Sequence, residues 1–265
     1  MKQITSRDNP LYKELKQLAS SASARKKAGK TMLDGVHLCQ AFLQHRAAPE
    51  ICVVSDTCIN HDEVAGILAL CEARGAKCIS FPENLYQALS QVENGVGVLF
   101  VIATPQSEFS GALSMNAVVL DNLQDPGNLG SILRSAAGAG IKQVFCSAGS
   151  ASAWSPKVLR AGMGAHFLLE IFEGVDLYAM LSHSSIPILA TSSHTTTTIY
   201  QSDLNRPVAW LFGHEGQGVD PRLMALATDT VTIPQKAEIE SLNVAASAAI
   251  CFFEQVRQQL VAKVP

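Results

Sequence analysis

Three short stretches of the 265-residue chain gather residue types that do chemistry. The first holds Asn122, Asp125, Pro126, Asn128, Gly130 and Arg134. A helix that starts beside Asn and Gly offers free backbone N–H groups to an anion or polar ligand. Arg134 stands alone on a small, apolar helix face, either as a surface residue or as a bidentate clamp for a phosphate. The second stretch is Gly213-His214-Glu215-Gly216-Gln217-Gly218. Glycines at this density after a strand let a flat or bulky ligand approach the backbone closely. A plain turn is the competing reading, though Glu215 between glycines is unusual for one. The spacing is not G-x-G-x-x-G, and no acidic residue follows at a second strand end, so a dinucleotide site of the usual type is weakly supported. The third stretch runs from Ile233-Pro234-Gln235 to Ser241-Leu242-Asn243-Val244. Ser241 and Asn243 sit where helix caps sit, so capping competes with catalysis for each.

Each stretch follows a run that reads as a strand. Val118, Val119 and Leu120 precede the first, residues 208–212 the second and residues 231–233 the third. Asn128 is a good N-cap for a helix through Leu129, Ile132, Leu133 and Ala136, and residues 144–146 close a β-α-β unit. A further strand is expected at 186–190. A helix at 242–262 keeps its apolar residues in helical period. Upstream, helices are expected at 35–45, 63–74 and 84–92, and strands at 51–55, 77–81 and 96–102. The polar, Pro-adjacent stretch 106–116 reads as a linker. The chain therefore divides into 1–105, the linker, and 117–265, all of mixed α/β pattern.

Apolar residues make up 48% of the chain, enough for a real core. No run approaches the ~18 apolar residues of a membrane span, and the start lacks the apolar region of a secretion signal. A cytoplasmic protein is the expectation. Seven cysteines without C-x-x-C spacing and seven scattered histidines favour neither a disulfide framework nor a metal site. The net charge of −3 counts against a nucleic-acid binder, but its distribution does not. Residues 1–30 carry eight basic and two acidic side chains, while 31–105 carry three basic and eight acidic. Such a local basic segment can bind phosphates whatever the total.

Taken together, the three stretches resemble the sequence motifs of the SpoU/TrmH family of RNA 2′-O-ribose methyltransferases, of the knotted SPOUT class. Asn122, Asp125, Pro126, Asn128, Gly130 and Arg134 match the first motif. Gly213, Glu215 and Gly218 match the second. Ile233, Pro234, Glu240, Ser241, Leu242, Asn243 and Val244 match the third. Gln235 stands where the family has Met, and Ala237 where it has Gly. Ser155-Pro156-Lys157-Val158 with Arg160, Gly164 and Ala165 is similar to the family's segment between motifs one and two. More loosely, Ile4 to Arg7, Asn9-Pro10, Arg25 to Lys27 and Leu33 to Leu38 resemble the substrate-binding domain that precedes the catalytic domain in many relatives. Asp34 stands where relatives often have Glu.

The resemblance implies a small N-terminal α/β RNA-binding domain of ribosomal-protein type. It also implies a trefoil-knotted α/β methyltransferase domain with a mostly parallel sheet, and a homodimer whose subunits both shape the site. It implies S-adenosylmethionine as methyl donor, bent in a pocket walled by Thr191, Leu211, Gly213, Ile233 and Leu242. Asn128, Arg134, Glu215, Ser241 and Asn243 become candidates for the reacting centre. Arg7, Lys13, Arg25, Lys26 and Lys27 become candidates for contacting RNA, rRNA more than tRNA. A non-catalytic RNA-binding protein on the same scaffold, or a nucleotide-binding oxidoreductase, are the competing functions. Guanidinium stays protonated below pH ~12, so Arg134 suits a phosphate clamp that also stabilises a developing alkoxide better than it suits a general base.

Overall fold

The computed structural model describes residues 1–92, 95–236 and 241–262. The chain divides into two compact units. The first comprises Met1–Pro105 and Trp154–Phe167, the second Gln106–Ala153 and Leu168–Pro265.

The first unit opens with β1 (Lys2–Gln3), α1 (Pro10–Ser20) and α2 (Ala22–Ala28). Asn9 caps α1 by accepting from the Leu11 N–H, and Pro10 fits the first turn, where its missing N–H costs nothing. Ser21 ends α1 and caps α2, which stops at Gly29 in left-handed conformation, φ 60°. Then follow β2 (Lys30–Asp34), α3 (Val36–His45), β3 (Ile51–Ser55), α4 (Asp62–Ala73), β4 (Lys77–Phe81), α5 (Glu83–Gln87) and β5 (Val98–Ala103). The strands form a mixed sheet in the order β1-β4-β3-β5-β2, with β5 antiparallel to both its neighbours. Tyr12, Leu15 and Leu18 of α1 pack with Phe81, Leu99 and Val101 in the core. The helix expected at 84–92 is shorter, because Ser90 and Gln91 turn back to hydrogen-bond the Asp34 carboxylate.

The second unit begins with β6 (Ala117–Leu120), α6 (Pro126–Gly138) and β7 (Gln143–Cys146). Asp125, not Asn128, is the N-cap of α6. Its carboxylate accepts from the Asn128 N–H at 2.7 Å, and Pro126 takes the first helical position. The next helix, α7 (Pro156–Gly162), belongs to the first unit. There the Thr31 hydroxyl donates to the Trp154 carbonyl, Arg160 donates to Gln91, and Phe167 packs edge-on against Phe42. Sequence order alone places this stretch within 117–265, whereas its packing places it in the first unit.

The second unit resumes with β8 (Glu170–Glu173), α8 (Leu177–Leu181), β9 (Ile188–Thr191), β10 (Ala209–Phe212), α9 (Pro221–Met224), β11 (Asp229–Val231) and α10 (Val244–Val261). Its sheet runs β11-β9-β10-β6-β7-β8, and every pairing is parallel. The late strand β10 is inserted between β6 and β9, so the loops after these strands open at one edge of the sheet. Strands expected at 186–190 and 231–233 each lie two residues from their predicted starts. Ala237 and Glu240 lie outside the described residues. Among the described residues no helix is long and apolar enough to cross a membrane.

Candidate active site

In parallel sheets, ligands bind beyond the carboxyl ends of the strands, where the topology reverses. Here the loops that follow β9, β10 and β11 and the start of α10 enclose a cavity of about 560 Å³. Thr191, Gly213, Glu215, Ile233, Ser241, Leu242 and Asn243, seven of the residues singled out by sequence, line it.

The loop after β10 turns tightly. The Gly218 N–H donates to the His214 carbonyl and the His214 N–H to the Gly218 carbonyl, both at 2.9 Å. A Cβ on Gly213 would lie 2.1 Å from the Gly218 carbonyl carbon, so only glycine closes this turn. Gly218 has φ 73°, again glycine's province.

That turn presents Glu215 to the start of α6. Its Oε1 accepts from the Asp125 N–H and the Asn128 side-chain amide, each at 3.2 Å. Its Oε2 accepts from the Gln124 N–H at 3.4 Å. Partial burial opposes the carboxylate's charge. The donations from its own loop, Asn128, Asp125 and Gln124 together prevail and hold its carboxyl below the usual range. Asn128 passes the connection on, since its Oδ1 accepts from the Asn243 amide at 2.9 Å. Asn243 in turn is the N-cap of α10, its Oδ1 accepting from the Ala245 and Ala246 N–H groups. Capping and site-building are thus the same act for Asn243. One chain of polar bonds, Glu215–Asn128–Asn243, joins all three sequence motifs.

Three expected site residues do not line the cavity: Asn128 joins it only through its bonds to Glu215 and Asn243, and Leu211 and Arg134 lie elsewhere. Leu211 is fully buried in the core with Val119, Ala190 and Ala209 and does not line the cavity. Its side chain points from the face of β10 that packs into this core. Arg134 is exposed on α6, six residues or about 9 Å of helix rise beyond Asn128, and does not line the cavity either. It makes no hydrogen bond or ion pair among the described residues.

His214 and Gln217, inside the second stretch but given no role there, also line the cavity, as do Ser192, Ser193, His194 and Ser247, which sequence reasoning missed. For Ser192 to His194 the signal was their place just after a strand of the parallel sheet, and for Ser247 its place one helical turn past the third motif.

In the first unit, Arg7, Lys13, Lys26 and Lys27 are exposed. Lys13 pairs with Asp8 at 3.0 Å. Arg25 differs, because its guanidinium donates to the Leu18 carbonyl at 2.7 Å and ties the end of α1 to α2. Partial burial lowers its pKa.

Residues 115–253 match the model of the SpoU rRNA Methylase family. A protein of Synechocystis sp. named as an uncharacterized tRNA/rRNA methyltransferase is 33% identical, over 99% of this chain and 96% of its own. The 23S rRNA (guanosine(2553)-2′-O)-methyltransferase RlmP of Bacillus subtilis is 28% identical, over 96% of this chain and 98% of its own. Among solved structures, an RNA 2′-O ribose methyltransferase superposes with a TM-score of 0.81 at 28% identity, covering 97% of this chain and 99% of that one. The AdoMet-bound rRNA methyltransferase from Sinorhizobium meliloti does so with a TM-score of 0.84 at 25% identity, covering 97% of both chains. A motif-bearing cavity, a family match across most of the second unit and a relative similar from end to end agree: the chain belongs to the SpoU rRNA methylase family.

Proposed function

We propose that the cavity beyond β9, β10 and β11 holds S-adenosylmethionine and that the chain methylates a ribose 2′-OH of structured RNA, rRNA rather than tRNA. The observation that carries this reading is the polar chain Glu215–Asn128–Asn243, which ties the three motif loops around one cavity. The residues present suit the donor. The volume falls in the range of small-molecule sites. Ile233, Leu242 and Val231 offer apolar wall for a nucleoside, and Thr191, Ser192 and the glycine turn offer polar and backbone contacts for its ribose and amino-acid tail. The similarity to RlmP, whose name specifies 23S rRNA, favours rRNA.

When bound, S-adenosylmethionine supplies an electrophilic methyl on a sulfonium. The protein's part is to align the 2′-OH with it, and such positioning is a large share of the rate. Glu215 and Asn243 fix the loops, while Asn128 and Ser241 orient the hydroxyl or Arg134. Arg134 clamps the adjoining phosphate and stabilises the negative charge that develops on the 2′-oxygen as it attacks the methyl carbon, the 2′-OH proton passing to solvent water. Because Arg134 lies away from its own cavity, it serves best in a homodimer, reaching the site of the partner. Its helix face supports this. Arg134 and Gly138 share that face at i, i+4 spacing, and a Cβ on Gly138 would meet the half-exposed Phe253 of α10. Exposed Lys26, Lys27 and Arg7 make the first unit the RNA-holding part. Its contacts are salt-sensitive, and recognition rests on RNA shape and unpaired loops. The reading places the protein in the cytoplasm with its substrate.

The test is transfer of a labelled methyl group from S-adenosylmethionine to total RNA from a strain lacking the gene, followed by mapping of the site. Label in a ribose 2′-O position of rRNA is expected, and Arg134→Ala abolishes it while the donor still binds. Label in protein or small molecules with RNA unlabelled would sink the reading. Donor-independent RNA binding alone would favour the non-catalytic alternative. Full activity of Arg134→Ala removes that residue from the mechanism.

A further inference from the structure

The turn after β10 contains a side chain that the family motif leaves unspecified. His214 lines the cavity, and its ring folds back over its own loop. Nδ1 accepts from the Gly216 N–H at 2.9 Å and from the Gln217 N–H at 3.1 Å. A ring nitrogen accepts only when it carries no proton, so this network assigns the imidazole its Nε2–H tautomer. With the backbone pair between His214 and Gly218, the ring makes a closed, doubly braced turn at residues 214–218.

We infer that His214 is a positioning residue for methyl transfer: its Nδ1 holds the cavity-lining glycine turn in the shape that receives the donor and presents Glu215 to α6. Three observations converge on it. Gly216 and Gln217, whose N–H groups the ring takes, themselves line the cavity. Glu215, between the ring and those donors in sequence, makes the bonds to Asn128, Asp125 and Gln124. The loop has few other restraints: Gly216 and Gln217 are exposed, and a glycine-rich segment loses much freedom when ordered. Without the acceptor that ordering falls due when the donor binds, and affinity drops accordingly. His214 acts on the reaction through the turn, not by touching the methyl group.

This rests on the cavity being the donor site. The test compares His214→Leu with His214→Asn in the full-length protein. The two replacements are nearly equal in size, but only Asn keeps an acceptor one bond from Cγ, where Nδ1 stands. Expected for His214→Leu is a rise of about tenfold in KM for S-adenosylmethionine, with kcat and Tm little changed. His214→Asn returns KM to within about threefold of the parent. Equal impairment of both variants overturns the inference, since the ring rather than its acceptor would matter. So does an unimpaired His214→Leu, or one that loses kcat and Tm with KM unchanged. Ser247→Trp, which fills the cavity from α10, separates the two readings. Unaltered donor affinity in that variant would overturn the cavity assignment itself, whereas its loss beside a normal His214→Leu would overturn only the role of His214.

Discussion

Glu215 concentrates the electrostatics of the site into one group. Its carboxyl is held below the ordinary range, so its ionised form stabilises the fold. That contribution is complete above the unfolded carboxylate pKa of ~4.3 and disappears as pH falls through the lower folded value. Glu215→Gln removes the charge at every pH and turns an amide N–H₂ toward one of the backbone donors. We therefore expect Glu215→Gln to lower Tm at pH 7 and to weaken donor binding several-fold. The Tm gap to the parent should narrow as pH falls below the unfolded carboxylate value of ~4.3 and close only once pH has passed through the lower folded value, where both side chains are neutral. Thermal melts from pH 3 to pH 7 check this, and a gap that stays constant with pH would deny the carboxylate its role. At this scale the sequence was highly legible, because Asn128, Glu215, Ser241 and Asn243 are polar residues in tight spacing and the structure brings them to one place. Arg134 and Leu211 were less so. A motif says that a residue is near a site in the chain, not which way its helix or strand turns it.

The last helix shows how an element is fixed to position the site. Its N-cap is Asn243, and its far face is pinned to the sheet by a buried polar relay. The Trp210 indole N–H donates to Gln255 Oε1 at 3.0 Å, and the Gln255 amide donates to Asn116 Oδ1 at 3.0 Å. Asn116 Oδ1 also accepts from the Val208 N–H, just before β10. Trp210 is fully buried and Gln255 nearly so. Gln255→Leu would leave the indole N–H without a partner, at a cost of about 1–3 kcal/mol. The expected result is a Tm lower by roughly 5 °C. Trp210→Phe added to it removes the orphaned donor. The double variant should therefore lose less than the sum of the singles, as denaturant titration of the four proteins would show. Simple additivity would mean that the relay carries no energy of its own. Periodicity found this helix and five of the six strands of the second sheet to within about two residues, but not β8. It did not find α2, which buries no side chain, or α8 and α9, of five and four residues, which are too short to show a period. Nor does period say that Pro126 would push the α6 cap back to Asp125.

At the scale of the whole molecule, sequence order misleads at one point. Trp154–Phe167 lies between two strands of the second sheet yet packs with the first unit, through Thr31, Gln91 and Phe42. Such long-range packing leaves no local trace in a chain read by windows. The same would hold for the proposed homodimer, which local periodicity cannot reveal. Ile250 and Phe253 of α10 are 36% and 49% exposed, and Phe253 lies against the Gly138 end of α6, on the face that carries Arg134. A stable dimer buries roughly 800 Å² on each partner, and a face of this kind is where a two-fold contact would repeat itself. Phe253→Glu places a charge there without touching the cavity. The parent should sediment as a dimer at micromolar concentration and the variant as a monomer. Tm should fall only by what the dimer contact contributed, leaving a folded monomer, and S-adenosylmethionine should still bind. RNA methylation should fall by at least a hundredfold, because each cavity then loses the Arg134 of its partner. A monomeric parent would end the dimer proposal. A monomeric but fully active Phe253→Glu would instead return Arg134 to the service of its own chain, and would require α6 to approach its own cavity more closely than it does here.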